Sequence, residues 1–343
     1  MSVVHVAVDA HNLTRDDRGI GRYARAVLSR ALHAPDVRWT MVVRDLFPKR
    51  RAIAQALGAR ASEVVVARAV PRDTDVVWFP WNGTFLRSDA PSVATVHDAA
   101  PFAFPAADAR KRATEQGPFL TTAATARRIL VQSQFTASEV ERWLGVEPAR
   151  IVVTPLAADD IFSSATPPAP PPETLRGKRY VLHVGAHDER KNTATLIDGF
   201  ARAFPNGEVT LAFTRTPPSL PPGGIVVENP DDAGLRALYA HAALVAVPSY
   251  YEGFGFPLLE AMACGTPVLA AHAGSLPEVG GDAAAWIDDP FDAGAWADAL
   301  RTILADDAQL DALGARGRMR AATFSWERCT VQTLAVLREV AAA

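Results

Sequence analysis

Cysteine is scarce. Only Cys264 and Cys329 occur among 343 residues, too few for a disulfide framework or a thiolate zinc site, so a reducing cytoplasm is the expected compartment. Long apolar runs are missing as well. Stretches such as 242–247 are strand-length, far short of the roughly 18 residues that span a bilayer. The N-terminus has no basic region ahead of an apolar one, and Asp9 and His11 interrupt its first apolar segment, so no cleaved export signal is expected. Nor is charge of one sign in excess, with 35 Lys and Arg against 38 Asp and Glu. The balance shifts along the chain, from 21 basic and 17 acidic residues in 1–165 to 14 and 21 in 166–343. Neither half is basic enough to make nucleic acid the expected partner. There is no internal repeat and no acidic cluster resembling a dedicated Mg²⁺ cage.

What is present is ordinary globular composition, 49% apolar and 21% charged, in a chain longer than one hydrophobic core usually serves. Short β-branched runs alternate with helical patterns, the mark of parallel α/β architecture. Strands are expected at 3–8, 39–43, 64–66, 76–79, 93–96 and 129–131, then at 180–184, 209–213, 244–247 and 268–270. Ile20, Tyr23, Ala24, Val27, Leu28 and Leu32 recur at helical spacing. Thr136 to Glu139 reads as a capping box opening a helix that Gly145 ends. Residues 163–172 hold five prolines, which remove backbone donors and fix φ, so this stretch reads as an extended connector. The expected organisation is an N-terminal Rossmann-like domain over 1–165, a linker over 166–177, a second α/β domain over 178–325, and a C-terminal helix over 326–343. That helix places Trp326, Cys329, Thr333, Leu334, Leu337 and Val340 on one face, and it is expected to pack back toward the N-terminal domain.

The richest stretch runs from Pro248 to Pro267. It reads as a strand end, a loop holding Gly253 and Gly255, and a helix starting near Pro257 and stopping at Gly265. Glu252 sits in the loop and Glu260 is expected in the first helical turn, so both carboxylates can border the crevice at a strand's carboxyl end. The two glycines let backbone N–H groups approach a ligand. Taken singly, each glutamate fits a surface role; the whole segment does not. A second loop, 184–192, places Arg190 and Lys191 beside a helix N-terminus that Asn192 can cap, a ready anion site.

Glu252 to Glu260, with the flanking Pro248-Ser249, the run from Glu260 to Val268 and the stretch Gly274 to Glu278, is similar to the E-x7-E region of retaining GT-B glycosyltransferases. This is the group-one family that includes glycogen synthases and bacterial mannosyltransferases. The resemblance covers nearly the whole chain and is most specific from about 180 to 288. It implies a GT-B fold, two Rossmann-like α/β domains facing each other across a cleft, an N-terminal acceptor domain and a C-terminal nucleotide-sugar domain. It also implies that Glu260 holds the donor ribose, that Glu252 belongs at the reaction centre, and that Gly253, Phe254, Gly255 and Phe256 form the donor-sugar loop. Lys191 matches the family's lysine. Ala186 stands where the family usually has arginine, and Arg190 supplies the second charge on the diphosphate, as in a branch with arginine-lysine-asparagine.

In the first half, Gly19-Ile20-Gly21-Arg22-Tyr23-Ala24 fits the loose pattern G-x-G-x-x-A. A nicotinamide or flavin enzyme would need those glycines directly at the strand end, but about ten residues intervene after Val8, so that reading is rejected. By resemblance Gly19 and Gly21 instead meet the donor phosphate through the backbone, and His97 in Thr95–Pro101 lies near the donor sugar as a catalytic hydrogen-bond partner. Trp78 to Gly83 is another strand-end loop, whose aromatics either stack on an acceptor sugar or pack the domain. The resemblance implies a retaining, metal-independent hexosyltransferase, mannosyltransferase-like, working on GDP-mannose or a UDP-sugar with no cofactor. The acceptor would be a glycan or lipid-linked sugar. A sugar-nucleotide epimerase and a non-catalytic nucleotide-sugar-binding protein remain open. Peripheral contact with the inner face of the membrane, through Phe47 to Arg51 or Arg110 to Arg112, also remains open.

Overall fold

A computed structural model of the chain describes residues 3–16, 19–45 and 50–343. It divides into two units, residues 1–156 with 326–343, and residues 157–325. The proline-rich segment 166–177 therefore lies inside the second unit. There it is tied down: Arg236 donates to the carbonyls of Ser164 and Thr166, and the His241 ring bonds the Ala169 carbonyl at 3.0 Å.

The first unit holds β1 (Val4–Asp9), β2 (Val37–Val42), β3 (Val65–Ala67), β4 (Val76–Phe79), β5 (Ser92–Thr95), β6 (Arg128–Val131) and β7 (Ile151–Val153). They pair in parallel in the order β3-β2-β1-β4-β5-β6-β7. The second unit holds β8 (Tyr180–His183), β9 (Thr210–Phe213), β10 (Gly224–Val226), β11 (Leu244–Val247), β12 (Val268–Ala271) and β13 (Ala285–Ile287), all parallel in the order β10-β9-β8-β11-β12-β13. Strands β4, β5, β8, β9, β11 and β12 are buried at every position. That explains why they appear in the sequence as unbroken apolar runs: helices cover both faces of a parallel sheet. In each unit the strand order reverses beside the first strand, between β1 and β4 and again between β8 and β11. At such points neighbouring loops diverge and leave a crevice at the strands' carboxyl ends.

The helix Trp326–Ala341 belongs to the first unit, where it packs on the helix Gly19–Ala31. Arg338 holds Asp36 through two bonds of 2.7 and 2.8 Å, and Arg30 meets Glu327 at 2.7 Å. In the second unit, the helices Thr193–Ala203 and Ala293–Leu304 lie close enough that a Cβ on Gly199 would come within 2.6 Å of the Trp296 Cβ. Phe200 and Trp296 fill the core beneath them.

Three expectations need correcting. The cap placed at Thr136 lies three residues earlier, at Ser133, which accepts from the Thr136 N–H at 3.0 Å and opens the helix Gln134–Leu144. Gly145 does end it, left-handed at φ 63°. Asn192 stands at the start of the helix Thr193–Ala203, but its side chain does not cap it. Its amide donates to the Pro290 carbonyl at 2.7 Å and its oxygen accepts from the Thr195 hydroxyl at 2.7 Å. Glu260 lies in the second turn of the helix Phe256–Cys264, because that helix starts at Phe256 with Pro257 inside its first turn.

Candidate functional site

In the second unit the loops leaving β8 and β11, neighbours at the switch point, meet. After β8 the chain turns at Gly185 (φ 124°), makes a single 3₁₀ turn over Glu189–Lys191, and bends left-handed at Asn192 (φ 50°) into the next helix. That turn carries Lys191 to Glu252, with Nζ 2.5 Å from Oε1 and both side chains nearly buried. The backbones join too, since the Tyr250 N–H donates to the Arg190 carbonyl at 3.0 Å. A third loop, after β12, closes on the same residue. The Ser275 hydroxyl and N–H both donate to the Glu252 carbonyl, at 2.9 and 3.2 Å. Gly274 (φ 60°) lets this happen, because a Cβ there would sit 3.0 Å from the Glu252 nitrogen in a left-handed conformation that other residues resist.

Electrostatics follow from this packing. Burial pushes the Glu252 carboxyl up, but Lys191, with Arg190 and the Ser249 hydroxyl, overcomes that and holds it below the ordinary carboxylate range. The site therefore keeps an ionised carboxylate beside two cations. A lysine ammonium has three donors, and one of Lys191's is committed to Glu252. Glu260 is 2% exposed and accepts from the Tyr239 hydroxyl at 2.9 Å. Of the four residues of the expected sugar loop, Gly253, Phe254 and Gly255 are buried. The Phe254 ring packs edge-on against Phe256 and Phe324, so it shapes the loop from beneath. Gly255 is left-handed at φ 96°, and a Cβ there would meet Leu276 at 2.6 Å.

Beneath these loops lies a network that sequence reasoning missed. His183, the last residue of β8, bonds the Ala246 carbonyl at 3.2 Å and the Thr193 hydroxyl at 3.1 Å. His187 shares that hydroxyl at 3.0 Å and reaches the Arg215 carbonyl at 2.8 Å. Burial pushes His183 down to about 4, so it stays neutral near pH 7. A strand-end histidine was the only signal in the sequence, and it was read as strand.

The first unit holds the other candidates. His97 follows β5. Its Nε2 bonds the Pro80 carbonyl at 2.8 Å, which places the proton there and leaves Nδ1 as an acceptor. Burial lowers its pKa, so the ring is neutral. Its N–H donates to Asn82 Oδ1 at 2.5 Å, tying the β4 and β5 loops together. Gly19 opens the helix Gly19–Ala31. At Gly21 a Cβ would lie 1.7 Å from the Asp16 carbonyl oxygen, so the chain itself uses that open side. Trp81 is buried and donates to the Asp9 carbonyl at 2.6 Å, which makes it a packing residue. Arg50 and Arg51 open the helix Arg50–Ala56 and Arg110–Arg112 lie in the helix Ala109–Thr125; Phe47–Lys49 lie outside the described residues. Among the described residues no helix is long and apolar enough to cross a membrane, and no three His, Cys, Asp or Glu side chains are grouped to hold a metal ion.

Comparison with known proteins gives these loops a family. The model for Glycosyl transferases group 1 matches residues 225–320 and that for Glycosyltransferase Family 4 matches residues 5–162. O-antigen chain mannosyltransferase B of Escherichia coli is 32% identical over 263 residues, 71% of this chain and 69% of that protein. The chain is a group 1 glycosyltransferase. A second relative of the glycosyltransferase, the MMP alpha-(1->4)-mannosyltransferase of Mycolicibacterium hassiacum, is 31% identical over 248 residues, 68% of this chain and 57% of that protein. Among solved structures, Anabaena HepE in complex with UDP and glucose superposes with a TM-score of 0.73 at 15% identity, over 98% of this chain and 100% of that one. The fold of this glycosyltransferase is GT-B.

Proposed function

We propose that this glycosyltransferase moves a hexose from GDP-mannose or a UDP-sugar to a hydroxyl of a glycan or lipid-linked acceptor, with retention and without a resident metal, in the cytoplasm or at the inner face of its membrane. The observation that carries the reading is the Lys191–Glu252 pair at the β8/β11 switch point. Breaking the bond between sugar C1 and the phosphate oxygen builds positive charge on the sugar and negative charge on the diphosphate. Glu252 is an ionised carboxylate suited to the first. Arg190 and the donors of Lys191 not turned to Glu252 suit the second, and both contributions grow toward the transition state, which is what accelerates a reaction. The new bond forms between C1 and the acceptor oxygen on the face the diphosphate leaves, and the departing phosphate oxygen takes the acceptor proton.

In this reading Glu260 takes the ribose hydroxyls, the loop Gly253–Phe256 the donor sugar, Gly19 and Gly21 the phosphates, and His97 a sugar hydroxyl through Nδ1. The mannosyltransferase relatives favour mannose, and the UDP complex of HepE supports a nucleotide-linked donor. A thermal-shift panel of GDP-mannose, UDP-glucose, GDP and UDP tests it, since a ligand at 100 times its Kd adds about 2.7 kcal/mol of stability. One nucleotide sugar should stabilise the protein, and Lys191→Ala and Glu252→Gln should abolish transfer. No stabilisation by any of the four, or full turnover in both variants, would overturn the reading.

A further inference from the structure

Among the described residues, His97 and His241 each use one ring nitrogen, on the Pro80 and Ala169 carbonyls. His5, His183 and His187 each bond through both ring nitrogens. His11 bonds through one. Its Nδ1 lies 2.8 Å from Asp9 Oδ1, and its N–H reaches the same oxygen at 3.3 Å. Nε2 has no hydrogen-bond partner among the described residues, and the side chain is 23% exposed.

Asp9 is the last residue of β1, fully buried beside the first unit's switch point. Carboxylate oxygens accept hydrogen bonds, so a ring with one proton carries it on Nδ1, facing Asp9, and turns Nε2 out as an acceptor. Asp9 Oδ2 is buried with no hydrogen-bond partner among the described residues. A buried carboxylate oxygen left unpaired costs about 1–3 kcal/mol. The ring is fixed from its sides as well, edge-on to Trp81 at 5.8 Å and to Phe85 at 5.5 Å. Trp81 in turn donates to the Asp9 carbonyl. Phe85 is itself 36% exposed, an apolar surface next to the acceptor nitrogen.

A rigid acceptor nitrogen beside an exposed aromatic ring suits a sugar, whose hydroxyls donate and whose C–H faces pack on aromatic rings. We propose that His11, held by Asp9, binds the sugar that receives the hexose, Nε2 taking a hydrogen bond from one of its hydroxyls and Phe85 flanking it. This deepens the transfer reading above and rests on it for the meaning of the bound sugar.

The test uses full-length protein labelled with ¹⁵N in its histidine rings. The free protein should show a His11 resonance pair with a protonated Nδ1 and a bare Nε2, assigned by its disappearance in His11→Phe. That variant keeps a ring between Trp81 and Phe85, and an unchanged melting temperature reports that it folds. Methyl α-D-mannopyranoside or methyl α-D-glucopyranoside, added with GDP or UDP present, should move the Nε2 resonance. A protonated Nε2, or no movement with either glycoside, overturns the proposal. The two readings fail separately: a glycoside shift in a protein that binds no nucleotide sugar sinks transfer and keeps His11. Nucleotide-sugar binding with a silent His11 does the reverse.

Discussion

Replacing Lys191 with methionine removes a charge while keeping much of the side chain's length. Its partner Glu252 is 7% exposed, and burial and Lys191 act on it in opposite directions. Stripping one member from a buried pair costs about 3–5 kcal/mol, because a charge is left without compensation. Here the loss has a ceiling, since the carboxyl can take up a proton. In the wild type the folded-state pKa of Glu252 is lowered, so its contribution is present above the ordinary carboxylate value of about 4.3 and is lost as pH falls through the folded value. In Lys191→Met the sign reverses: burial is opposed only by Arg190 and Ser249, the folded pKa is raised, and the penalty fades as pH falls toward it. The stability gap between the two proteins should therefore be widest near about pH 7 and shrink toward about pH 5. The double variant Lys191→Met/Glu252→Gln, with no charge left to bury, should recover about 2 kcal/mol or more of the loss. Urea unfolding at both pH values, followed by circular dichroism and tryptophan fluorescence, measures all of this. A gap that ignores pH, or a double variant no more stable than the single, would refute the argument.

Three further outcomes follow from the same physics. His183 is pushed down to about 4 by burial, with His187 and Lys191 adding to it, so the folded protein loses stability as pH drops from about 6.5 to about 4, by about 3 kcal/mol at 1.36 kcal/mol per unit. His183→Gln should flatten that part of the pH–stability profile, and an unchanged profile would count against it. Gly274→Ala forces a Cβ to 3.0 Å from the Glu252 nitrogen at φ 60°. It should cost about 1–3 kcal/mol in melting experiments and a larger share of turnover, because the loop it displaces carries Glu252. Wild-type turnover would refute that link. Burial pushes both thiols up to about 12, so iodoacetamide near about pH 8 should leave Cys264 and Cys329 unmodified in the native protein and label both after denaturation, read by mass spectrometry.

Much of the fold was legible. Strands such as 76–79 and 244–247 match β4 and β11 end to end, and the other expected strands fall within two residues. Doubly covered strands must be apolar on both faces, and that leaves a continuous run in the sequence. The strands that went unseen, β7, β10 and β13, are three-residue edge strands with half-exposed positions, too short to carry a period. The misplaced helix start has a similar cause. Ser133 and Thr136 both suit a cap, and only the point where β6 ends makes the earlier one win.

The sequence alone determined which side chains could do chemistry: the two glutamates, the basic pair, the strand-end histidine and the glycines between them all lie in short polar interruptions of an apolar pattern. It could not say which of them touch. Lys191 and Glu252 are 61 positions apart and meet only because β8 and β11 are neighbours in the sheet, an adjacency set by long-range pairing that no local spacing encodes. The contacts of Asp9, His11 and His183 were decided the same way. A nitrogen left bare or a carboxylate oxygen left unpaired is a property of what packs around it, and only the folded chain supplies those surroundings.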